Sequence, residues 1–335
     1  MRMRWIFLLA GYAATLGAAV SPDTTAKRTR SELEAGLKAL ETKSRTAKEE
    51  PKTPDAADKP KDAKDPKAAK ALVNDLVVKP DELKRARAEL LRLNSYRYLC
   101  GLDADVVLKE EHNVTCKFGA YLCSVIGRIE HTPPKPSGMD ELIYKKGYEG
   151  TSHSNLFWSS GPDGLTGSVN GYMDDSDASN VARVGHRRWC LNPAMGATGF
   201  GQVRGYSAMW SMDASNAAGK GEHIVCFPAA GFWPLAYWPN KAAWSISLDP
   251  GRYRVEDNPE LKVYLLGGTD RFPQDTKGLK ELKLTDVRVG REGMGIAQCV
   301  IFRPEVAPKR GHRFGVSLPV KGWRSAKLEY IVEFY

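Results

Sequence analysis

The sequence predicts an α+β protein whose second half is all β. Three observations carry this. Two stretches, 80–101 and 109–128, place apolar residues at helical spacing. Short strand-like segments follow at 198–204 and 208–214. After Cys226-Phe227-Pro228 the composition shifts to recurrent short apolar runs separated by turn residues, with no helical pattern between them. Helices stacked on a small antiparallel sheet, followed by a β-sandwich, satisfy all three.

Taken in order, the chain opens on Arg2 and Arg4, then an apolar run over 5–20 and the small residues Gly17-Ala18-Ala19. This has the layout of a secretory signal peptide. Its sixteen apolar residues fall short of the ~20 that cross a bilayer comfortably. The expectation is therefore export, cleavage and no stable membrane span afterwards. No cysteine follows the run to take a lipid.

Residues 21–75 carry 13 Lys/Arg and 11 Asp/Glu and almost no aromatic side chains. Such a composition buries too little apolar surface to offset chain entropy, so a flexible, charged linker is expected. Within it, Leu33, Leu37 and Leu40 lie at helical spacing, which allows a transient helix over 31–46.

Pro80-Asp81 opens the first firm helix, with Leu83, Ala86, Leu90 and Leu93 as its apolar stripe and Gly101 as its stop. The second helix puts Phe118, Tyr121, Leu122 and Val125 on its buried side. From 132 to 170, glycines, prolines and polar residues predict mostly loop. Trp233-Pro234 and Trp238-Pro239 form a joint, and strands are expected at 243–248, 261–266, 282–289, 296–302, 314–320 and 328–334. Regular short strands of this kind suggest an immunoglobulin-like sandwich. The domain limits expected are 1–20 signal peptide, 21–75 linker, 76–225 helical and sheet domain, and 226–335 β-sandwich.

The net charge of +9 and pI near 9.1 are spread along the chain rather than gathered on one element. Nucleic acid is therefore not an expected partner, while weak attraction to anionic cell-envelope polymers is compatible with the balance. Six cysteines permit three disulfides in 15 pairings, or six buried thiols. Cys116 and Cys123, two helical turns apart, are about 10 Å apart along the axis, too far to bridge.

The residues with chemical potential are concentrated between 129 and 193. Ile129-Glu130-His131-Thr132 supplies one histidine, and His153-Ser154-Asn155-Leu156 another. Gly171-Tyr172-Met173-Asp174-Asp175 supplies an acidic pair ahead of Gly185-His186-Arg187, which leads into Leu191-Asn192-Pro193. Together with Leu93-Asn94-Ser95-Tyr96-Arg97 on the first helix, this order resembles the CAP domain, the fold shared by cysteine-rich secretory proteins, antigen 5 and pathogenesis-related 1 proteins. The Gly-His-Arg form is similar to that of the bacterial, SCP-like branch.

The resemblance covers about residues 83–215 and implies an α-β-α sandwich with a cleft lined by two histidines and two glutamates. His131 and His186 match the histidines. Ser154 stands where the family has its first glutamate, and Asp174 or Asp175 falls near the second. The ligand-binding cleft implied is His131, His153, Ser154, Asp174, Asp175 and His186, with His153 positioned to compensate for Ser154. His131 and His186 are the metal ligands such a cleft would offer, and Zn²⁺ suits neutral imidazoles. No cofactor is required by this reading.

Other signals are ordinary. Asp175-Ser176-Asp177-Ala178-Ser179 alternates oxygen ligands but lacks the glycine and glutamate of a Ca²⁺ loop. Asn113-Val114-Thr115 is a glycosylation sequon inside a predicted helix. Trp158, Trp189 and Trp210 are expected to pack in the core, and Arg187 to pair with Asp174 or Asp175. The function expected is an exported, non-catalytic binding module for a lipid, glycan or peptide of the cell envelope. The alternatives are a zinc-assisted hydrolase or peptidase using the same cleft, and an envelope protein whose β half is adhesive.

Overall fold

The computed structural model describes residues 22–46, 76–219, 223–239, 241–268 and 271–335. The expected signal peptide and the 47–75 part of the expected linker lie outside them. The remainder mixes helix and sheet. In chain order the helices are α1 (Pro22–Ala26), α2 (Arg30–Thr46), α3 (Pro80–Leu99), α4 (Glu110–Ile126), α5 (Glu141–Ser152), α6 (Ser168–Asp174) and α7 (Gly185–Cys190).

The first strands are β1 (Val107–Leu108), β2 (Ser154–Trp158), β3 (Ala197–Thr198), β4 (Phe200–Val203) and β5 (Tyr206–Trp210). β2, β5 and β4 make an antiparallel sheet in that order, and β1 pairs with β3 in parallel. α4 lies against the three-stranded sheet, and the pleat turns alternate residues of β2 toward α4 and away from it.

The helices start and stop for local reasons. At α3, Pro80 occupies the first turn, where a missing N–H costs nothing, and Glu82 Oε2 accepts the Lys79 N–H at 3.2 Å. α4 ends on Gly127 in the left-handed region (φ 72°), whose N–H donates to Cys123 O. Its buried face is Cys116, Phe118, Gly119, Ala120, Leu122 and Cys123. Val125, expected inside, is 45% exposed.

Residues 132–170, expected as mostly loop, contain α5, β2 and the start of α6. Two of the glycines that suggested loop, Gly147 and Gly150, are contacts between helices. A Cβ on Gly150 would lie 2.2 Å from Thr115 O and 2.9 Å from Gly119 N, so α4 and α5 approach backbone to backbone. Asp140 caps α5 by accepting the Leu142 and Ile143 N–H groups.

The second half holds β6 (Ile224–Phe227), β7 (Gly231–Trp233), β8 (Trp244–Leu248), β9 (Lys262–Leu266), β10 (Lys280–Glu281), β11 (Leu284–Gly290), β12 (Gln298–Pro304), β13 (Arg313–Pro319) and β14 (Lys327–Phe334). They form two sheets, ordered β11-β12-β8-β6 and β10-β9-β13-β14-β7. Trp244 joins them: its ring meets Phe302 of its own sheet at 5.8 Å and Phe314 of the other at 5.3 Å. β6 begins two residues ahead of the 226 limit expected from sequence.

The two halves share a core. One apolar cluster runs from Leu93, Tyr96 and Leu191 to Trp233, Trp244 and Phe334. Three buried arginines, Arg97, Arg187 and Arg188, reinforce it. Arg97 donates to the carbonyls of Asp103, Cys190, Asn192 and Met195, and burial lowers its pKa to about 10. Arg188 reaches the carbonyls of Glu292, Ile296 and Ala297.

Residues 22–46 correct the flexible-linker expectation. They are helical and docked on the body, with Leu33 only 1% exposed. Arg28 donates to Tyr98 O and Leu99 O at 2.5 and 2.7 Å, and Tyr98 Oη donates to Glu32 O. The sparse leucines of this segment suffice because α3 supplies the surface they bury against. All six cysteines are buried and unpaired, so no disulfide contributes. Among the described residues no helix is long and apolar enough to cross a membrane.

Candidate functional site

Asp175 and His186 form the centre of the candidate site. α6 ends at Asp174, and Asp175 takes the left-handed conformation (φ 46°), which Asp tolerates better than most residues. That turn directs its carboxylate at α7. Asp175 Oδ1 accepts from His186 Nδ1 at 2.6 Å, and Oδ2 accepts the Arg187 N–H at 3.2 Å. The Asp175 side chain is 1% exposed and that of His186 20%. A carboxylate beside Nδ1 fixes the proton there, so His186 presents Nε2 as a lone pair when neutral.

His131 follows α4. Its Nδ1 lies 2.9 Å from Thr151 O, and Thr151 Oγ1 donates back to His131 O at 3.0 Å. A carbonyl only accepts, so Nδ1 carries the hydrogen and Nε2 is again the open atom. Partial burial of the ring lowers its pKa, the Thr151 bond opposes that, and the charges of His186 and Arg183 lower it further.

The His186 imidazole is backed by buried aromatic and amide groups, Tyr172 and Asn155, each 1% exposed. Tyr172 is tilted over His186 with ring centres 5.6 Å apart, and its hydroxyl donates to Asn155 O. Burial pushes the Tyr172 pKa far above its ordinary value, so it stays a neutral donor. Asn155 Nδ2 donates to His186 O at 3.0 Å. Behind the histidine, Arg187 is fully buried and donates to Met173 O, Asp174 O, Ala243 O and Ser245 Oγ. It binds the carbonyl of Asp174 and gives its own backbone N–H to Asp175, rather than forming the side-chain pair expected.

The other expected site residues go elsewhere. Ser154 and Asn155 point to opposite faces of β2. Ser154 is 3% exposed, with Oγ 3.5 Å from Cys116 Sγ under α4, so it does not join the histidines. His153 does not compensate for it, because its ring stacks on Trp210 at 5.1 Å while His112 stacks on Trp210 at 4.6 Å, each at 5°. Asp174 Oδ2 accepts from Ser176 Oγ, and its buried Oδ1 has no hydrogen-bond partner. Trp158, expected in the core, is 52% exposed. Asn113 is 1% exposed and its Oδ1 accepts the Phe200 N–H, so the sequon is closed in the fold.

The donor set does not fit a resident zinc. His131 and His186 offer two imidazole nitrogens, but the nearest carboxylate already holds His186 Nδ1, and Ser154 faces away. A catalytic zinc site needs three protein ligands. Among the described residues no group of three or more His, Cys, Asp or Glu could hold a metal ion.

Tyr172 and Thr151 were missed at the sequence level. Tyr172 carried a usable signal, lying within the motif ahead of the acidic pair. Thr151 carried none, since its role is a contact across twenty residues. Comparison with protein-family models, with curated proteins and with solved structures returns no match.

Proposed function

We propose that the chain is an exported, non-catalytic binding module of CAP type, continued by an immunoglobulin-like sandwich. On this reading the site around His131, His186 and Asp175 takes a lipid, glycan or peptide of the cell envelope. The observation that carries it is the 2.6 Å pairing of His186 with Asp175, which fixes the orientation of an imidazole that is itself 20% exposed. A fixed imidazole of this kind can exchange a hydrogen bond with a polar group of such a ligand.

Hydrolysis asks for more than these groups supply. It needs a positioned nucleophile or activated water, a general base and a stabiliser for the developing oxyanion. Ser154 is buried against Cys116 rather than beside an imidazole. The rival hydrolase reading draws on the two Nδ1-anchored rings, whose Nε2 atoms are free to act as bases.

The test compares wild type with the His131→Ala, His186→Ala double variant. Lipids carried through purification are identified by mass spectrometry, and immobilised glycans and peptides are screened for retention. Retention lost in the double variant is the expected result. Equal retention by both proteins refutes the site. Peptide or ester turnover by wild type that vanishes in the double variant replaces this reading with the hydrolase.

A further inference from the structure

The turn that leads into α7, just ahead of His186, is under backbone strain. Val184 has φ 42° and ψ 46°, the left-handed region that a β-branched residue avoids. A conformation of this cost persists only where the surroundings enforce it, and such positions gather at functional sites. The surroundings here come from the β half. Val184 is 0% exposed and packs in a small apolar cluster with Ala243, Cys299 and Ile301. Ala243 immediately precedes β8, and the other two lie on β12.

The residues on either side of His186 are held in the same way. A Cβ on Gly185 would lie 2.7 Å from Met294 Sδ, so the loop between β11 and β12 presses on the start of α7. Arg187 donates to Ala243 O at 2.6 Å. Arg188, its side chain 1% exposed, donates to Glu292 O at 2.5 Å and to Ile296 O and Ala297 O at 3.0 Å. Gly295, at φ 60°, lets that loop close over Arg188 O, where a Cβ would stand 2.5 Å away. Residues 184, 185, 187 and 188 therefore all engage the β half. His186, between them, turns instead to Asp175 and keeps 20% of its side chain exposed.

We infer that the β half is the positioning element of the histidine site, with Val184, Met294 and Arg188 as the residues through which it fixes His186. The inference rests on the binding-module reading only for what His186 does with a ligand, not for how the residue is held. An imidazole meets a ligand group at a set distance and angle only if its backbone is fixed by supporting contacts. A six-residue helix gets that fixity here from partners 56 and 104 residues further along the chain. Asp175 sets the rotation of the ring, and the β half sets the place from which the ring projects. These β-half contacts all lie beyond residue 215, outside the span that carries the family resemblance. The helical half by itself would carry both histidines without holding the second of them in place.

NMR of the full chain, isotope-labelled at histidine, tests it through the two anchored ring protons. The Nδ1 proton of His186 is bonded to Asp175 and that of His131 to Thr151 O. In Met294→Ala, exchange of the His186 ring proton with water is expected to speed up about tenfold or more, because local opening sets that rate. The His131 proton should keep its wild-type rate, and Met294→Leu should restore that of His186. Arg188→Met, which releases the loop from α7, should act in the same direction. Unchanged exchange at His186 in Met294→Ala overturns the proposal. So does equal acceleration at both rings in that variant, which marks a general loosening of the fold. The readout needs no ligand. It can succeed while the retention screen of the histidine double variant fails, or fail while that screen succeeds, so positioning and binding are judged apart.

Discussion

Replacing Arg187 with methionine keeps most of the side-chain volume and removes the guanidinium. In the wild type that group donates to Met173 O at 2.8 Å, Asp174 O at 2.8 Å and Ala243 O at 2.6 Å, and it lies 4.3 Å from the Phe227 ring centre. Arg187 is 0% exposed, so water does not replace these bonds. Each stranded buried carbonyl costs about 1–3 kcal/mol, and losses within one cluster do not add fully. A loss of about 4 kcal/mol is expected, against a total stability of ~5–15 kcal/mol for a protein fold. Urea unfolding reads it directly: with a slope of about 3 kcal/mol per molar, the midpoint falls by more than ~1 M. Two of the acceptors lie in the helical half and one in the β half. Helix signal by far-UV dichroism and core-tryptophan fluorescence should therefore coincide in the wild type and separate in the variant. A loss under about 1 kcal/mol with coincident transitions would refute the assignment of Arg187 as the staple between halves.

Two further outcomes follow from single contacts. Gly150→Ala puts a methyl 2.2 Å from Thr115 O, so α4 and α5 must separate; thermal unfolding several degrees lower is expected, whereas Gly138→Ala, with nothing within 4 Å but a φ of 76°, should cost only local strain. Glu89, 7% exposed, has its pKa raised by burial despite accepting the Gly167 and Val169 N–H groups. The native state then holds that proton at pH values where the unfolded chain, with its ordinary carboxylate near 4.5, has released it. Stability from this group is therefore highest below the ordinary value and falls as pH rises toward the folded value. Urea midpoints across that window should decline in the wild type relative to Glu89→Gln; parallel curves would contradict the burial argument.

The sequence by itself determined the elements whose pattern is local. α3 and α4 were legible because apolar residues recur along them, with Pro80 opening the first. β8, β9, β11, β12, β13 and β14 were legible because alternating or continuous apolar runs are bounded by turn residues. The pairing of an acid with His186 was within reach, since eleven residues separate them. Tertiary structure decided the rest. Glycine is read as a loop signal because it has no side chain, and the same absence lets α5 press against α4, so the chain alone could not tell the two uses apart. α2 carries too few leucines to be stable in isolation and is held by α3. Ser154 and His153 were adjacent to the motif but were turned away by the strand pleat and by Trp210. The side-chain direction of a strand residue depends on which face its neighbours bury, and those neighbours come from α4, α7 and β5, distant in sequence.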